Sequence, residues 1–513
     1  MKLSALLNEI GLTARVVNAP SSDKDPEITE IFCNAQQVRP GGLFVAIKGF
    51  SADGHDFIDQ AVDNGAVAVI CEKPSRTGVA TVSVDSSRRA LAEVSAAFYG
   101  HPSKAMVVVG ITGTNGKTTT TYLIESILQA AGKNPGIIGT INYRFGGMIF
   151  DNPVTTPESL DLQRILSQMR DADVTHAVME VSSHALDLHR AHGCHFDVAV
   201  FTNFSQDHLD FHKDMERYWA AKCKLFRELL PASDSAVKRA VINVDSPKGA
   251  ELAEQINASC YTSGSGPASD LKAVAPRFDL NGTDALIKTP QGDIEIHSPL
   301  VGRHNLENIL NAVGVGIALD IPLDAIAAGI DRLENVPGRL ERIPNDCGRH
   351  IYVDYAHTPD ALENALLALR ALTFDRIICV FGCGGDRDRA KRPRMGAIAA
   401  RLSDLTIVTS DNPRTEPPDR IIDEIVEGVH QVSQLHYTRN SLENGFHGKG
   451  YGIVADRREA IGLSVRTSRA GDTILIAGKG HEPYQLIGRE KFPFDDRLEA
   501  RSAVKDRHAM VCC

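Results

Sequence analysis

Residues 106–121 read Met-Val-Val-Val-Gly-Ile-Thr-Gly-Thr-Asn-Gly-Lys-Thr-Thr-Thr-Thr, and no other segment restricts the possible folds so tightly. An apolar, β-branched run passes into Gly110, Gly113 and Gly116. Lys117-Thr118 follows, and then a helical pattern through about Ala131. Glycine lets a backbone curl around an anion with its N–H groups turned inward. The following helix N-terminus adds partial positive charge. In such a loop Lys117 reaches the outer phosphates of a nucleotide and the Thr118 hydroxyl is a ligand for Mg²⁺. The wider spacing G-x-x-x-x-G-K-[ST] would need glycine where Ile111 stands, so Gly-Thr-Asn-Gly-Lys-Thr is a tighter local form. A plain glycine-rich turn with a solvated lysine is the ordinary alternative. Against it, strand, loop, Lys-Thr and helix occur here in sequence.

Apolar runs of the same kind recur at Met106–Ile111, Ala177–Val181, Val198–Phe201, Ala240–Val244, Ile351–Val353, Ile377–Phe381, Leu405–Val408 and Thr473–Ala477, with helical stretches between them. Continuous apolar strands alternating with helices predict parallel sheets buried on both faces, an α/β protein. Turn-rich segments at Gly100–Ser103 and Asn335–Arg339 divide the 513 residues into expected domains 1–103, 104–336 and 337–513. The net charge, 55 − 65 = −10, argues against a general nucleic-acid binder. No apolar run is long enough for a membrane helix, and the N-terminus lacks the pattern of a secretory signal. The ten cysteines form no C-x-x-C pair, and Cys512 and Cys513 read as exposed thiols without a role. A cytoplasmic, monomeric protein is expected.

The Gly-Thr-Asn-Gly-Lys-Thr loop resembles that of the Mur ligases and of their relative folylpolyglutamate synthase. Further motifs narrow the resemblance to the Mur ligases: Thr155-Thr156-Pro157, Glu180 to His184, Asp207-His208, Ala220-Ala221-Lys222, His304-Asn305, Pro337-Gly338-Arg339, Asp354 to Pro359, Gly382 to Arg387, Asp411-Asn412-Pro413-Arg414 and Gly478 to Glu482. The resemblance implies three domains: one for a uridine diphosphate substrate, a central P-loop domain and a C-terminal Rossmann-like domain. It also implies an ATP-dependent ligase of peptidoglycan precursor synthesis that works through an acyl phosphate. A carboxylate is a poor electrophile and must be activated before an amine can attack it, and bringing two anions together calls for Mg²⁺ and lysines.

By that resemblance Gly113, Thr114, Asn115, Gly116, Lys117, Thr118, Thr119, Asn305, Arg339 and Asp354 bind ATP. Thr118, Glu180, His208 and Lys222 serve metal, Lys222 as a CO₂-derived carbamate, and Lys117, His208 and Lys222 are catalytic. From the residues alone, Glu180 at a strand's end suits a hard cation. His208 and Lys222 alone would read as a structural histidine and a solvated lysine, and Lys224 would point about 200° away from Lys222. Ala35, Phe50, Ser51, Ala52, Thr155, Thr156, Ser182 and Arg190 match positions that hold the UDP-muramoyl dipeptide. Asn34-Ala35-Gln36 departs from the family's Asp-Ser-Arg, Val154 from an asparagine and Leu188 from a glutamine. Arg387, Asp411, Asn412, Pro413, Arg414, Gly478 and Glu482 match the amino-acid pocket. Arg414 is the discriminating residue, because meso-diaminopimelate carries a distal carboxylate that lysine lacks and a guanidinium grips a carboxylate with two prongs. The expected reaction joins meso-diaminopimelate to UDP-N-acetylmuramoyl-L-alanyl-D-glutamate. An L-lysine-adding ligase and a non-catalytic nucleotide-binding scaffold remain as alternatives.

Overall fold

The computed structural model describes residues 1–12, 16–18, 25–50, 52–73, 78–373 and 375–511, so the expected contact Ser51 and the terminal Cys512 and Cys513 lie outside the described residues. The chain forms two compact units, residues 1–272 with 310–329, and residues 273–309 with 330–513.

The first unit holds two sheets. The smaller runs in the order Val16–Asn18, Ala80–Ser83, Ala66–Cys71, Gly42–Val45, Glu30–Phe32, parallel except for the first pair. The larger has eight strands: Ser259–Ser263, Arg239–Asn243, Val198–Phe201, Val107–Thr112, His176–Glu180, Pro135–Ile138, Tyr143–Phe145 and Met148–Phe150. Its first six strands are parallel and its last two are added antiparallel. Side chains alternate between faces, and Val108, Ala177, Met179, Ala199, Phe201, Ala240 and Ile242 fill one core layer. The strand Val107–Thr112 ends at the glycine loop, from which the helix Lys117–Ala130 departs.

The second unit is built on a six-stranded sheet ordered Glu341–Ile343, His350–Asp354, Thr473–Ala477, Ile377–Phe381, Leu405–Val408, Gly450–Ile453. Only Glu341–Ile343 runs antiparallel. Ile377, Cys379 and Phe381 enter one apolar layer while Ile378 and Val380 enter the other, as a sheet covered by helices on both faces requires. Each such fully buried aliphatic side chain contributes about 1.5–3 kcal/mol. The α/β class agrees with the expectation from the apolar runs, and a P-loop sheet and a smaller N-terminal sheet in the first unit with a Rossmann-like sheet in the second agree with what the resemblance implies. The antiparallel strands Gly282–Thr289 and Gly292–Ser298, and the pair Tyr484–Ile487 and Glu490–Pro493, were not among the predicted strands.

Candidate active site

In the first unit the functional residues stand at the carboxyl ends of neighbouring parallel strands, where open α/β sheets bind ligands. The glycine loop follows Thr112. Gly113 has φ 148, and a Cβ there would lie 1.9 Å from Thr202 Oγ1, so only glycine fits. Asn203 steadies the loop from the next strand: its Oδ1 accepts the Asn115 N–H at 2.9 Å and its carbonyl accepts the Thr114 N–H at 2.9 Å. Lys117 Nζ donates to the carbonyls of Gly113 (2.8 Å) and Thr114 (2.9 Å), which folds the ammonium back over the loop. Thr119 is buried one residue past Thr118 in the first turn of the helix.

Glu180 is the last residue of its strand and is 1% exposed. Thr118 Oγ1 donates to its Oε2 at 3.1 Å. Thr140, beyond the end of the adjacent strand, holds the same carboxylate twice, through its N–H to Oε1 (2.9 Å) and its hydroxyl to Oε2 (2.9 Å). The Thr140 hydroxyl also lies 3.1 Å from Thr155 Oγ1. Sequence reasoning missed Thr140. Its only signal is its place two residues past the strand Pro135–Ile138.

Lys222 sits in the helix Met215–Lys224, is 1% exposed and donates to the Gly113 carbonyl at 2.7 Å. Burial, followed by the nearby Lys117 charge, holds its ammonium well below the usual lysine range. Lys224 instead pairs with Asp187 at 2.9 Å on a more open face. His208 has φ 54 and lies 3.5 Å from the Asp207 carboxylate. Partial burial, with His184, Lys117 and Lys222 adding to it, pushes His208 down to about 4. The His208 ring meets His184 edge-on at 4.8 Å, His184 meets Phe211 at 4.2 Å, and Phe211 meets Phe50 at 5.9 Å. That aromatic run joins the N-terminal loop to the His208 loop, with Phe50 itself 75% exposed. Ala35 is buried and Ala52 exposed; the Ala52 carbonyl accepts the Gly49 N–H at 2.9 Å.

Thr156 donates to the Glu180 carbonyl at 2.9 Å and accepts the Ser182 N–H at 3.1 Å. Arg190 donates to the Thr156 carbonyl at 3.2 Å and stands 3.5 Å from Glu158. Thr155, Thr156, Ser182 and Arg190 therefore share one patch with Glu180. Among the described residues no group of three or more His, Cys, Asp and Glu converges on one point. The expected metal ligands Thr118, Glu180, His208 and Lys222 include only two of those residue types, Glu180 and His208. The 3.1 Å approach of Thr118 to Glu180 supplies the hard oxygens that Mg²⁺ takes, so the residues fit that ion.

In the second unit the same rule places Asp354, Gly478 and Gly382 at or directly after the ends of adjacent strands. Asp354 accepts the N–H groups of Leu340 (2.6 Å) and Ala356 (2.8 Å), and burial raises its carboxyl. The following helix is capped by Thr358, whose Oγ1 accepts the Ala361 N–H at 3.3 Å, so neither Asp354 nor His357 caps it. Arg339 lies over the Tyr355 ring at 4.6 Å, and Asn305 donates to the Val301 carbonyl at 2.9 Å. Gly478 has φ 118 and donates to the Asp354 carbonyl at 3.0 Å; a Cβ on it would come 2.4 Å from Asp411 Oδ2. Asn412 donates to Glu482 at 2.8 Å. Pro413 is buried, Arg414 has φ 52, and Arg414 Nη1 donates to the Gly385 carbonyl at 2.8 Å. Arg387 is exposed and donates to the Asp386 carbonyl at 3.3 Å. Asp411, Asn412, Arg414, Gly478 and Glu482 thus gather around one loop cluster. Lys479, fully buried among them, was not singled out from the sequence.

A glycine loop between strand and helix with its lysine folded over the loop, and a buried carboxylate beside the loop threonine, define a nucleotide-dependent α/β enzyme of the P-loop class. Family descriptions narrow this: "Mur ligase family, catalytic domain" matches residues 27–99, "Mur ligase middle domain" residues 111–316, and "Mur ligase, glutamate ligase domain" residues 338–480. The chain is 51% identical over 498 residues to the UDP-N-acetylmuramoyl-L-alanyl-D-glutamate--2,6-diaminopimelate ligase of Geobacter metallireducens, covering 96% of this chain and 98% of that protein. It is 44% identical to the ligase of the same name from Bacillus velezensis, covering 94% and 95%. A solved structure of a ligase of that name superposes with TM-score 0.67 at 31% identity, covering 94% of this chain and 95% of the other. The chain belongs to the Mur ligase family.

Proposed function

We propose that this chain is the ATP-dependent ligase that joins meso-diaminopimelate to UDP-N-acetylmuramoyl-L-alanyl-D-glutamate in peptidoglycan precursor synthesis. The observation that carries the reading is the loop cluster of the second unit. There a guanidinium, Arg414, stands two residues from Asn412, which is bonded to the Glu482 carboxylate. A guanidinium and a carboxylate in one loop cluster suit the distal end of diaminopimelate, where carboxylate and ammonium share one carbon. Curated relatives over nearly the whole chain carry that activity in their names.

Lys117 and the glycine loop and helix start of residues 113–119 hold the ATP phosphates, and Asn305, Arg339 and Asp354 serve the rest of the nucleotide. The glutamyl carboxylate of the dipeptide takes the γ-phosphoryl group, ADP leaves, and an acyl phosphate forms. The amine of diaminopimelate then attacks that carbonyl, the tetrahedral intermediate collapses, and phosphate departs with the amide formed. Thr155, Thr156, Ser182 and Arg190 orient the muramoyl peptide, and Ala35, Phe50, Ser51 and Ala52 contact the uridine diphosphate. Arg387, Asp411, Pro413, Gly478 and Glu482 complete the amino-acid pocket.

Thr118, Glu180, His208 and Lys222 would hold Mg²⁺, which when bound screens the phosphate charge. Lys222 is suited to carbamylation because burial lowers its hold on a proton and the unprotonated amine is the form that reacts with CO₂. The segments 1–103, 104–336 and 337–513 form the three domains of this reading, supported by family descriptions that match within each. A cytoplasmic monomer belongs to the same proposal; among the described residues no helix is long and apolar enough to cross a membrane.

Phosphate release measured with the dipeptide nucleotide and a panel of amino acids, followed by product mass, tests the assignment. Release that depends on both the nucleotide and meso-diaminopimelate is expected. Preference for lysine would replace the substrate, and no amino-acid-dependent release would leave a nucleotide-binding scaffold.

A further inference from the structure

Lys479 has no place in the reaction as derived so far, yet it is 0% exposed and carries an ammonium into the middle of the loop cluster. Its Nζ donates to Asn412 Oδ1 at 3.0 Å and stands 3.5 Å from Glu482 Oε2. The backbone N–H of Leu486 donates to the same Asn412 Oδ1 at 2.9 Å. A carboxamide oxygen has two lone pairs, and both are taken. Neither partner can accept a hydrogen bond, so the amide cannot turn over without setting its NH₂ against two donors. Asn412 Nδ2 therefore points away from these two donors, with one hydrogen on Glu482 Oε2 at 2.8 Å. Held in this way, Asn412 keeps one amide hydrogen to donate and has no oxygen lone pair open.

We propose that Lys479 is a positioning residue for amino-acid specificity: it locks Asn412 as a donor, so that Asn412 acts with Arg414 to accept a distal carboxylate and to turn away an amino acid ending in an ammonium alone. The inference rests on the diaminopimelate reading and adds a residue to it. Leu486 by itself leaves one lone pair of Asn412 Oδ1 open. With that lone pair open the amide is pinned by one donor instead of two, its donor side is no longer fixed, and loss of Lys479 weakens the selection as well as the binding.

Steady-state kinetics on the full chain test this, with meso-diaminopimelate and L-lysine as the varied amino acids. Lys479→Met, which keeps the apolar stem, is expected to raise KM for meso-diaminopimelate by about 10- to 100-fold, the usual effect of losing a charged hydrogen bond. KM for ATP and for the dipeptide nucleotide should stay within about twofold, and the preference for meso-diaminopimelate over lysine should narrow by about the same factor as KM rises. Lys479→Gln, which restores a neutral donor, should recover part of the loss. In an Asn412→Leu background Lys479→Met should add less than about twofold, because residues acting through one contact are not additive.

The proposal is overturned by an unchanged KM for meso-diaminopimelate, by parallel increases for all three substrates, or by effects of the two substitutions that simply multiply. Should Lys479→Met fail to fold, Lys479→Gln in both backgrounds carries the same comparison. Should wild type prefer lysine, the substrate reading fails on that result alone. The coupling of Lys479 to Asn412 is then read from the same double substitution with lysine as substrate.

Discussion

Residues that look alike in sequence do different work here because burial separates them. Lys222 and Lys224 are two positions apart on one helix, but only Lys222 is sealed against the Gly113 carbonyl while Lys224 pairs with Asp187. Lys222→Ala is expected to be nearly inactive and partly rescued by a short carboxylic acid, whereas Lys224→Ala should retain close to normal phosphate release. A plain amine at Lys222, seen by mass under CO₂-replete conditions in a fully active protein, would refute the carbamate. Lys117→Ala should cost about 10²–10³ in rate, the typical effect of removing one electrostatic contact in a transition state, with circular dichroism unchanged. At Arg414 the expected loss is selective: Arg414→Ala raises KM for meso-diaminopimelate by roughly one to two orders of magnitude and leaves KM for ATP in place. Arg414→Lys recovers only part, since an ammonium cannot make the two-pronged contact. Unchanged diaminopimelate kinetics in Arg414→Ala would remove the basis of the substrate assignment.

Elements set the geometry those residues use. The glycine loop works because Gly113 crosses Thr202 at a distance no Cβ tolerates and at a φ other residues avoid. Gly113→Ala is expected to abolish nucleotide binding, read by calorimetry with ADP, while the eight-stranded sheet persists in the far-ultraviolet spectrum. Retained ADP affinity would show that the loop does not close around phosphate. The amino-acid loop is held differently. Arg414 adopts the left-handed region, at a cost of about 1–3 kcal/mol for a residue with a side chain. Its backbone is held there by bonds to Leu486 and Gly488, so the hairpin Tyr484–Pro493 acts as a brace for the loop. The strands that carry both sites were legible from apolar runs, several of them to the residue. The hairpin was not, because Tyr484–Ile487 and Glu490–Pro493 are short, the first half-buried and the second exposed, and both lack an apolar run.

Across the whole molecule, several histidines are kept neutral by burial. His176 and His212 are pushed down to about 4 and His481 to about 3, against an ordinary value near 6.5. Between those values the unfolded chain binds protons that the folded chain does not, so stability rises with pH there. The contribution is complete above about pH 6.5 and is lost as pH falls toward about 4. Melting temperature should therefore decline steadily from pH 7 to pH 4.5, and His176→Gln should flatten that slope; a level profile would contradict the burial argument. The sequence by itself determined the α/β class, the positions along the chain of the strands that carry loops, and the phosphate loop, while the residues expected for ligase chemistry came from the resemblance to the Mur ligases. The first three follow from hydrophobic period, glycine placement and local motif, which act over a few neighbours in the chain. Tertiary structure alone decided that Thr140 grips Glu180, that Phe50 meets Phe211, and that Lys479 is buried against Asn412 rather than solvated. The physical reason is that burial and hydrogen-bond partnership are properties of residues far apart in sequence, brought side by side at the ends of adjacent strands, and nothing in a single residue's local pattern records who its neighbours will be.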